Sequence, residues 1–210
     1  MELTSLTVER EDPVGTLVLL HGLGGDEHDW DDSMAILDPD QRFDILSIRG
    51  PYEDHGNGWF MYGDPERVHL TLEPTLSAIE REITRVLDKH HSSQHIVALG
   101  GFSQGASTAL AAGCATTASF RPAGVFAMGG LFPPTDRLAY DWTAPRRILI
   151  QHGSADRDTP VQEARAVAAD LRSLGVPVEF KEYATGHSIT PEALRDSSDW
   201  LYGLRRGVSP

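Results

Sequence analysis

Apolar, β-branched runs recur along the 210-residue chain: GTLVLL at 15–20, FDILSI at 43–48, HIVALG at 95–100, AGVFAMGG at 123–130, RRILIQHG at 146–153 and VEFKEY at 178–183. Most lack polar alternation, which predicts strands buried on both faces. Between them the spacing turns helical: Leu72, Leu76, Ile79, Ile83, Val86 and Leu87 recur at threes and fours, as do Ala164, Val167, Ala168, Leu171 and Leu174. A last helix opens with Thr190 as cap and Pro191 in its first turn, and carries Leu194, Leu201 and Leu204 on one side. Strands alternating with helices predict the α/β class, with a mainly parallel central sheet covered by helices on both faces. The weakly alternating LTSLTVER at the N-terminus suits an added antiparallel edge strand. Two aromatic, Gly- or Pro-rich stretches, 49–68 and 131–145, fit neither period and are expected to be site-covering loops. Length and the lack of a linker, repeat or low-complexity tract predict one domain over 1–210.

Composition narrows the partners. A net charge of -13, from 31 acidic and 18 basic residues, repels a phosphate backbone and an anionic membrane alike, so no nucleic-acid partner is expected. No apolar run approaches the roughly 18 residues of a membrane span, so no stable membrane insertion is expected. The start of the chain, without a basic region followed by an apolar one, predicts a cytoplasmic location. Lys89 and Lys181 are the only lysines among the basic residues. The lone cysteine, Cys114, reads as a small apolar residue on a helix face.

The chemistry concentrates in LGGFSQGAS at 99–107. Gly101-Phe102-Ser103-Gln104-Gly105 falls between a strand and an alanine-rich helix, the setting of a nucleophile elbow. The turn is so tight that a Cβ two residues before or after Ser103 would crowd the neighbouring backbone, and glycine removes it. The Ser103 hydroxyl is thereby lifted to a helix N-terminus, where N–H groups favour developing negative charge.

A serine hydroxyl is a poor nucleophile and needs a base and a carboxylate to orient that base. His187 follows the last strand and precedes the last helix, at the same sheet edge as Ser103. Among the other histidines, His90, His91 and His95 cluster around a helix end without a metal-ligand pattern, and His28, His55 and His69 read as loop or surface residues. His21 and His152 lie in His-Gly pairs at strand ends and suit structural hydrogen bonds. Of two candidate acids in QHGSADRDTPV, Asp156 comes sooner after its strand, whereas Asp158 leads into a helix start. The chain order Ser103, Asp156, His187 is that of an α/β-hydrolase. Candidate oxyanion donors are the backbone N–H groups of Gln104 and of Leu23, the latter in the glycine-rich LLHGLGGDEHDW, which lacks the Lys-Ser/Thr ending of a phosphate loop. Trp59, Phe60, Met61, Leu131 and Phe132 are candidate linings of an acyl pocket.

With these residues in view, the chain resembles the phospholipase/carboxylesterase family of α/β-hydrolases, the group that includes acyl-protein thioesterases. LHGLGGDEHDW, RGP followed by GWF, GGFSQGAS, QHGSADRDTPV and GHSITPEAL carry the resemblance in order across most of the chain. It implies a compact hydrolase with little or no cap, cleaving carboxylic esters or thioesters without a cofactor or metal, with Ser103 as nucleophile, Asp156 as acid, His187 as base and Leu23 and Gln104 at the oxyanion positions. Ala106 stands where many members continue with glycine, and 131–145 carries no matching motif.

The function expected is therefore a serine carboxylesterase acting on small to medium acyl esters through an acyl-enzyme, as a monomer or homodimer whose partner is a small-molecule acyl ester or thioester. A thioesterase or lysophospholipase for longer chains is the competing enzyme, and a ligand-binding protein on a hydrolase scaffold is the competing class.

Overall fold

The computed structural model describes residues 1–53, 56–89, 95–116, 120–142 and 147–204. Its elements run β1 (Ser5–Val8), β2 (Gly15–Leu20), a 3-10 turn (Asp31–Ser33), α1 (Met34–Leu37), β3 (Phe43–Ile48), α2 (Pro65–Leu87), β4 (Ile96–Phe102), α3 (Gln104–Cys114), β5 (Gly124–Met128), β6 (Arg147–Gly153), α4 (Val161–Ser173), β7 (Val178–Tyr183) and α5 (Pro191–Leu204). They form one seven-stranded sheet in the order β1-β3-β2-β4-β5-β6-β7. Every pairing is parallel except that of β1 with β3, so the N-terminal stretch is the antiparallel edge its alternation predicted.

Both sheet faces are covered, which is why β2, β3 and β5 are buried throughout. On one face Val18, Leu46, Leu99, Val125 and Ile148 pack under Leu72 and Ile79 of α2, Leu110 of α3 and Ala164 of α4. On the other, Leu17, Ile45, Ala98, Phe126 and Leu149 pack under Trp30, Leu37 of α1, and Leu194, Trp200 and Leu201 of α5. Alternate residues of each strand thus feed opposite cores. Cys114 is buried at the end of α3, as its apolar neighbours predicted.

β7 is the exception among the runs: it closes the sheet as an edge strand, and its exposed Glu179 and Glu182, on opposite faces, pair with Arg147 and Arg165. Two expectations are corrected. Stretch 49–68 is not loop throughout. Asp64 caps α2 by accepting from the Arg67 N–H, Pro65 occupies the first turn, and 65–68 are already helical. Strand β4 runs two residues further than its apolar run, through Gly101 and Phe102 to the edge of the elbow. Of stretch 131–145, residues 143–145 lie outside the described residues. In the rest, Tyr140 makes an isolated bridge to Ala115.

Candidate active site

In a parallel sheet the C-terminal strand ends share one edge, and the candidate groups are all carried there: 21–25 after β2, Ser103 after β4, Asp156 after β6 and His187 after β7. Ser103 has φ 53° and ψ -120°, a left-handed backbone that costs a non-glycine residue on the order of 1–3 kcal/mol. Close packing enforces it. A Cβ on Gly105 would stand 2.3 Å from the carbonyl oxygens of Leu20 and His21, and one on Gly101 would stand 2.4 Å from the Gly105 carbonyl group. The Ser103 N–H is tied to the Met128 carbonyl at 2.8 Å. Gly100 has a packing role: the Phe126 ring fills the space of its missing Cβ.

His187 Nε2 lies 2.8 Å from Ser103 Oγ, and its Nδ1 lies 2.7 Å from Asp156 Oδ2. A carboxylate accepts, so Nδ1–H donates to Asp156 and Nε2 is left to accept the Ser103 hydroxyl proton. Phe102 packs against the imidazole with ring centroids 4.9 Å apart. Asp156 has no side-chain exposure. Burial alone would raise its pKa, but the Thr159 N–H, His187 and the Asp158 N–H together outweigh it and hold the carboxyl below its ordinary value. The two N–H groups both donate to Oδ1 at 2.9 Å. Asp158, the other carboxylate considered, therefore serves Asp156 through its backbone. Asp156, Asp158 and His187 also form a group of three close potential metal ligands. The hydrogen bonds of two of them are already committed to each other.

The histidines assigned to structural bonds occupy them. His152 Nε2 donates to the Thr159 carbonyl at 2.7 Å and lies 3.5 Å from Asp156 Oδ2, bracing the acid's turn. His21 Nδ1 donates to the Gly22 carbonyl at 2.6 Å while its Nε2 accepts from the Gly50 N–H at 2.9 Å. Burial lowers the His21 pKa and favours this neutral form. His28 is exposed beside Asp31, and His95 meets the Thr16 hydroxyl at 2.9 Å. His55, His90 and His91 lie outside the described residues.

Leu23 follows β2 and Gln104 follows Ser103, both at this sheet edge. Gln104 opens α3, and among the described residues neither its N–H nor that of Leu23 has an acceptor. A Cβ on Gly22 would be 3.6 Å from the Ser103 Cβ, which brings the glycine-rich loop beside the serine. Leu23 also walls a cavity of about 120 Å³, with Tyr52, Phe60, Met61, Tyr62 and Arg67 among its lining. Of the five suggested pocket residues, Phe60 and Met61 line it. Trp59 does not: it is fully buried, and its indole N–H donates to the His21 carbonyl at 2.8 Å. Leu131 and Phe132 pack against the core, Phe132 within an aromatic cluster with Tyr140 and Trp142. Sequence reasoning missed Tyr52, Tyr62 and Arg67, which no periodicity or motif sets apart. It also missed the Gln104 side chain, which accepts from the Trp59 N–H at 2.8 Å and donates to the Phe60 carbonyl at 2.9 Å.

A mostly parallel sheet covered on both faces, with a strained serine at a strand-helix elbow, defines an α/β-hydrolase. Residues 3–204 match the Phospholipase/Carboxylesterase family, and the chain belongs to it; it is a serine hydrolase acting on ester bonds. Over 89% of its length the chain is 25% identical to acyl-protein thioesterase 1 of Gibberella zeae, covering 88% of that protein. Its fold is similar to that of the Bacillus cereus carboxylesterase, with a TM-score of 0.82 at 18% identity over 96% of this chain and 94% of that one. The protein Atu2452 of Agrobacterium tumefaciens, of unknown function, is similar with a TM-score of 0.73 and 28% identity, over 96% and 95% of the two chains. No described helix is long and apolar enough to cross a membrane.

Proposed function

We propose that this chain is a carboxylesterase for small to medium acyl esters, with Ser103 as nucleophile, His187 as base and Asp156 as the acid that orients it. The observation that carries the reading is the unbroken chain of contacts from Ser103 Oγ through His187 to Asp156, at 2.8 and 2.7 Å. His187 Nε2 takes the hydroxyl proton as Oγ attacks the ester carbonyl, and the buried carboxylate stabilises the imidazolium that forms. The N–H groups of Leu23 and Gln104 hold the oxyanion, helped by the α3 dipole. His187 returns the proton to the departing alcohol, and water then releases the acid by the same route. No cofactor enters any step.

The cavity supports a limit on the acyl group. The roughly 120 Å³ beside Leu23, lined by Phe60, Met61, Tyr52 and Tyr62, suits a short acyl chain better than a long one. A second reading, hydrolysis of acyl thioesters, is favoured by the name of the Gibberella zeae relative. Paired p-nitrophenyl esters and acyl thioesters of increasing chain length decide between the two. The ester reading expects turnover of acetyl to hexanoyl esters to exceed that of the matched thioesters, and the reverse order favours the thioesterase. Labelling of wild type but not Ser103→Ala by a fluorophosphonate tests the nucleophile, and turnover retained by Ser103→Ala rules the mechanism out.

A further inference from the structure

The Gln104 side chain has a task separate from its backbone. It is 1% exposed, and its two ends bind a single strip of the facing loop. Trp59 N–H only donates and so must face Oε1; the Phe60 carbonyl only accepts and so must face Nε2, which fixes the orientation of the amide. Gly58 passes so close that a Cβ there would stand 3.0 Å from Gln104 Oε1 and 2.9 Å from the Leu23 side chain. Gly58, Phe60, Met61 and Tyr62 are wall residues of the cavity. The amide thus joins the residue after Ser103 to the wall of the cavity beside it through two buried hydrogen bonds.

We infer that the Gln104 side chain is a positioning residue for acyl-length selectivity: it clamps the 58–62 wall to the elbow, keeping the cavity small and at a fixed distance from Ser103. The inference rests on the esterase reading for its substrate and on buried hydrogen bonds for its structure. Cutting the clamp leaves the Trp59 N–H and the Phe60 carbonyl buried without partners, so the wall moves outward to water and longer chains enter.

Gln104→Met keeps the length of the side chain and removes both bonds. Gln104→Glu keeps an acceptor for Trp59 and sets a carboxylate oxygen against the Phe60 carbonyl. The quantity to measure is the ratio of kcat/KM for butyryl to that for octanoyl p-nitrophenyl ester within each variant, because a disturbed oxyanion donor lowers both substrates alike and cancels. The ratio is expected to fall by about fivefold or more in Gln104→Met, with Gln104→Glu between it and wild type. Amide hydrogen exchange at Trp59 should quicken in the same order. A uniform loss on both esters with an unchanged ratio overturns the inference, since the side chain then serves only the elbow. Should Gln104→Met fail to fold, Gln104→Glu alone decides it by the same criterion. A wild type that turns over neither ester and resists the fluorophosphonate instead defeats the esterase reading, while exchange at Trp59 still reports whether the clamp exists.

Discussion

The elbow at 101–105 and the cavity wall at 58–62 face each other across the site, and they are held by different physics. The elbow is fixed by backbone against backbone: replace the hydrogen of Gly105 with a methyl group and it meets two carbonyl oxygens at 2.3 Å, which no rotamer relieves. The wall is anchored at Gly58 by paired backbone bonds with Tyr52, and otherwise by side chains reaching across the loop, Gln104 to Trp59 and Phe60, the Trp59 indole to the His21 carbonyl, and Asn57 to the Gly25 carbonyl. Close backbone packing tolerates almost no change. A wall held by separable hydrogen bonds yields one bond at a time. The difference separates a turn that admits a single geometry from a loop that can adjust, as the proposed catalytic and acyl-fitting roles require.

The sharpest break of that contrast is at the proposed nucleophile. Ser103→Ala is expected to lower kcat on short esters by about 10⁴-fold or more while leaving the circular dichroism spectrum unchanged, because the elbow is set by its glycines and not by the hydroxyl. Asp156→Asn should cost about 10³- to 10⁴-fold, since an amide in place of the carboxylate permits the wrong His187 tautomer. Gly105→Ala acts through the fold instead: forcing a Cβ against Leu20 and His21 should destabilise by about 3 kcal/mol, read as a lower denaturation midpoint in urea.

The same contrast explains what could be read from the chain before its structure. The elbow, the acid turn and the His187 loop announce themselves because their chemistry restricts residue types over a few consecutive positions, as in Gly101-Phe102-Ser103-Gln104-Gly105. The sheet was readable from its apolar runs for a similar local reason. VEFKEY, the one run with charges at three of its six positions, is the edge strand, whose exposed sides tolerate Glu179 and Glu182. The wall was unreadable. Trp59 looks like a pocket residue, and its burial depends on His21, 38 positions away; Gln104 meets Trp59 across 45 positions, and no short pattern encodes such a pairing.

A smaller effect concerns pH. The Asp156 carboxyl has a folded-state pKa below its ordinary value of 3.8, so its contribution to stability is fully present above that value and is lost as pH falls through the lower folded-state pKa. Urea midpoints measured from pH 6 downward should therefore fall less steeply for Asp156→Asn than for wild type in the region below the ordinary carboxylate range. Parallel curves would mean that the Thr159 and Asp158 N–H groups do not bind the ionised form preferentially.

The smallest expected effect isolates the strain at the elbow. Ser103→Ala and Ser103→Gly both remove the hydroxyl and its bond to His187, but only alanine retains the Cβ that makes φ 53° costly. Relief of about 1–3 kcal/mol of backbone strain in the glycine variant is offset by the 0.5–1 kcal/mol that glycine adds to the entropy of the unfolded chain. The net difference should be about 1 kcal/mol in favour of glycine, a rise in Tm of roughly 2–4 °C over the alanine variant for a domain of this size. A glycine variant that melts below the alanine variant, by the few degrees that its added chain entropy alone would cost, would mean that packing around Gly101 and Gly105 imposes no strain at Ser103. The elbow would then differ from the wall only in its chemistry, not in the energy stored to present it.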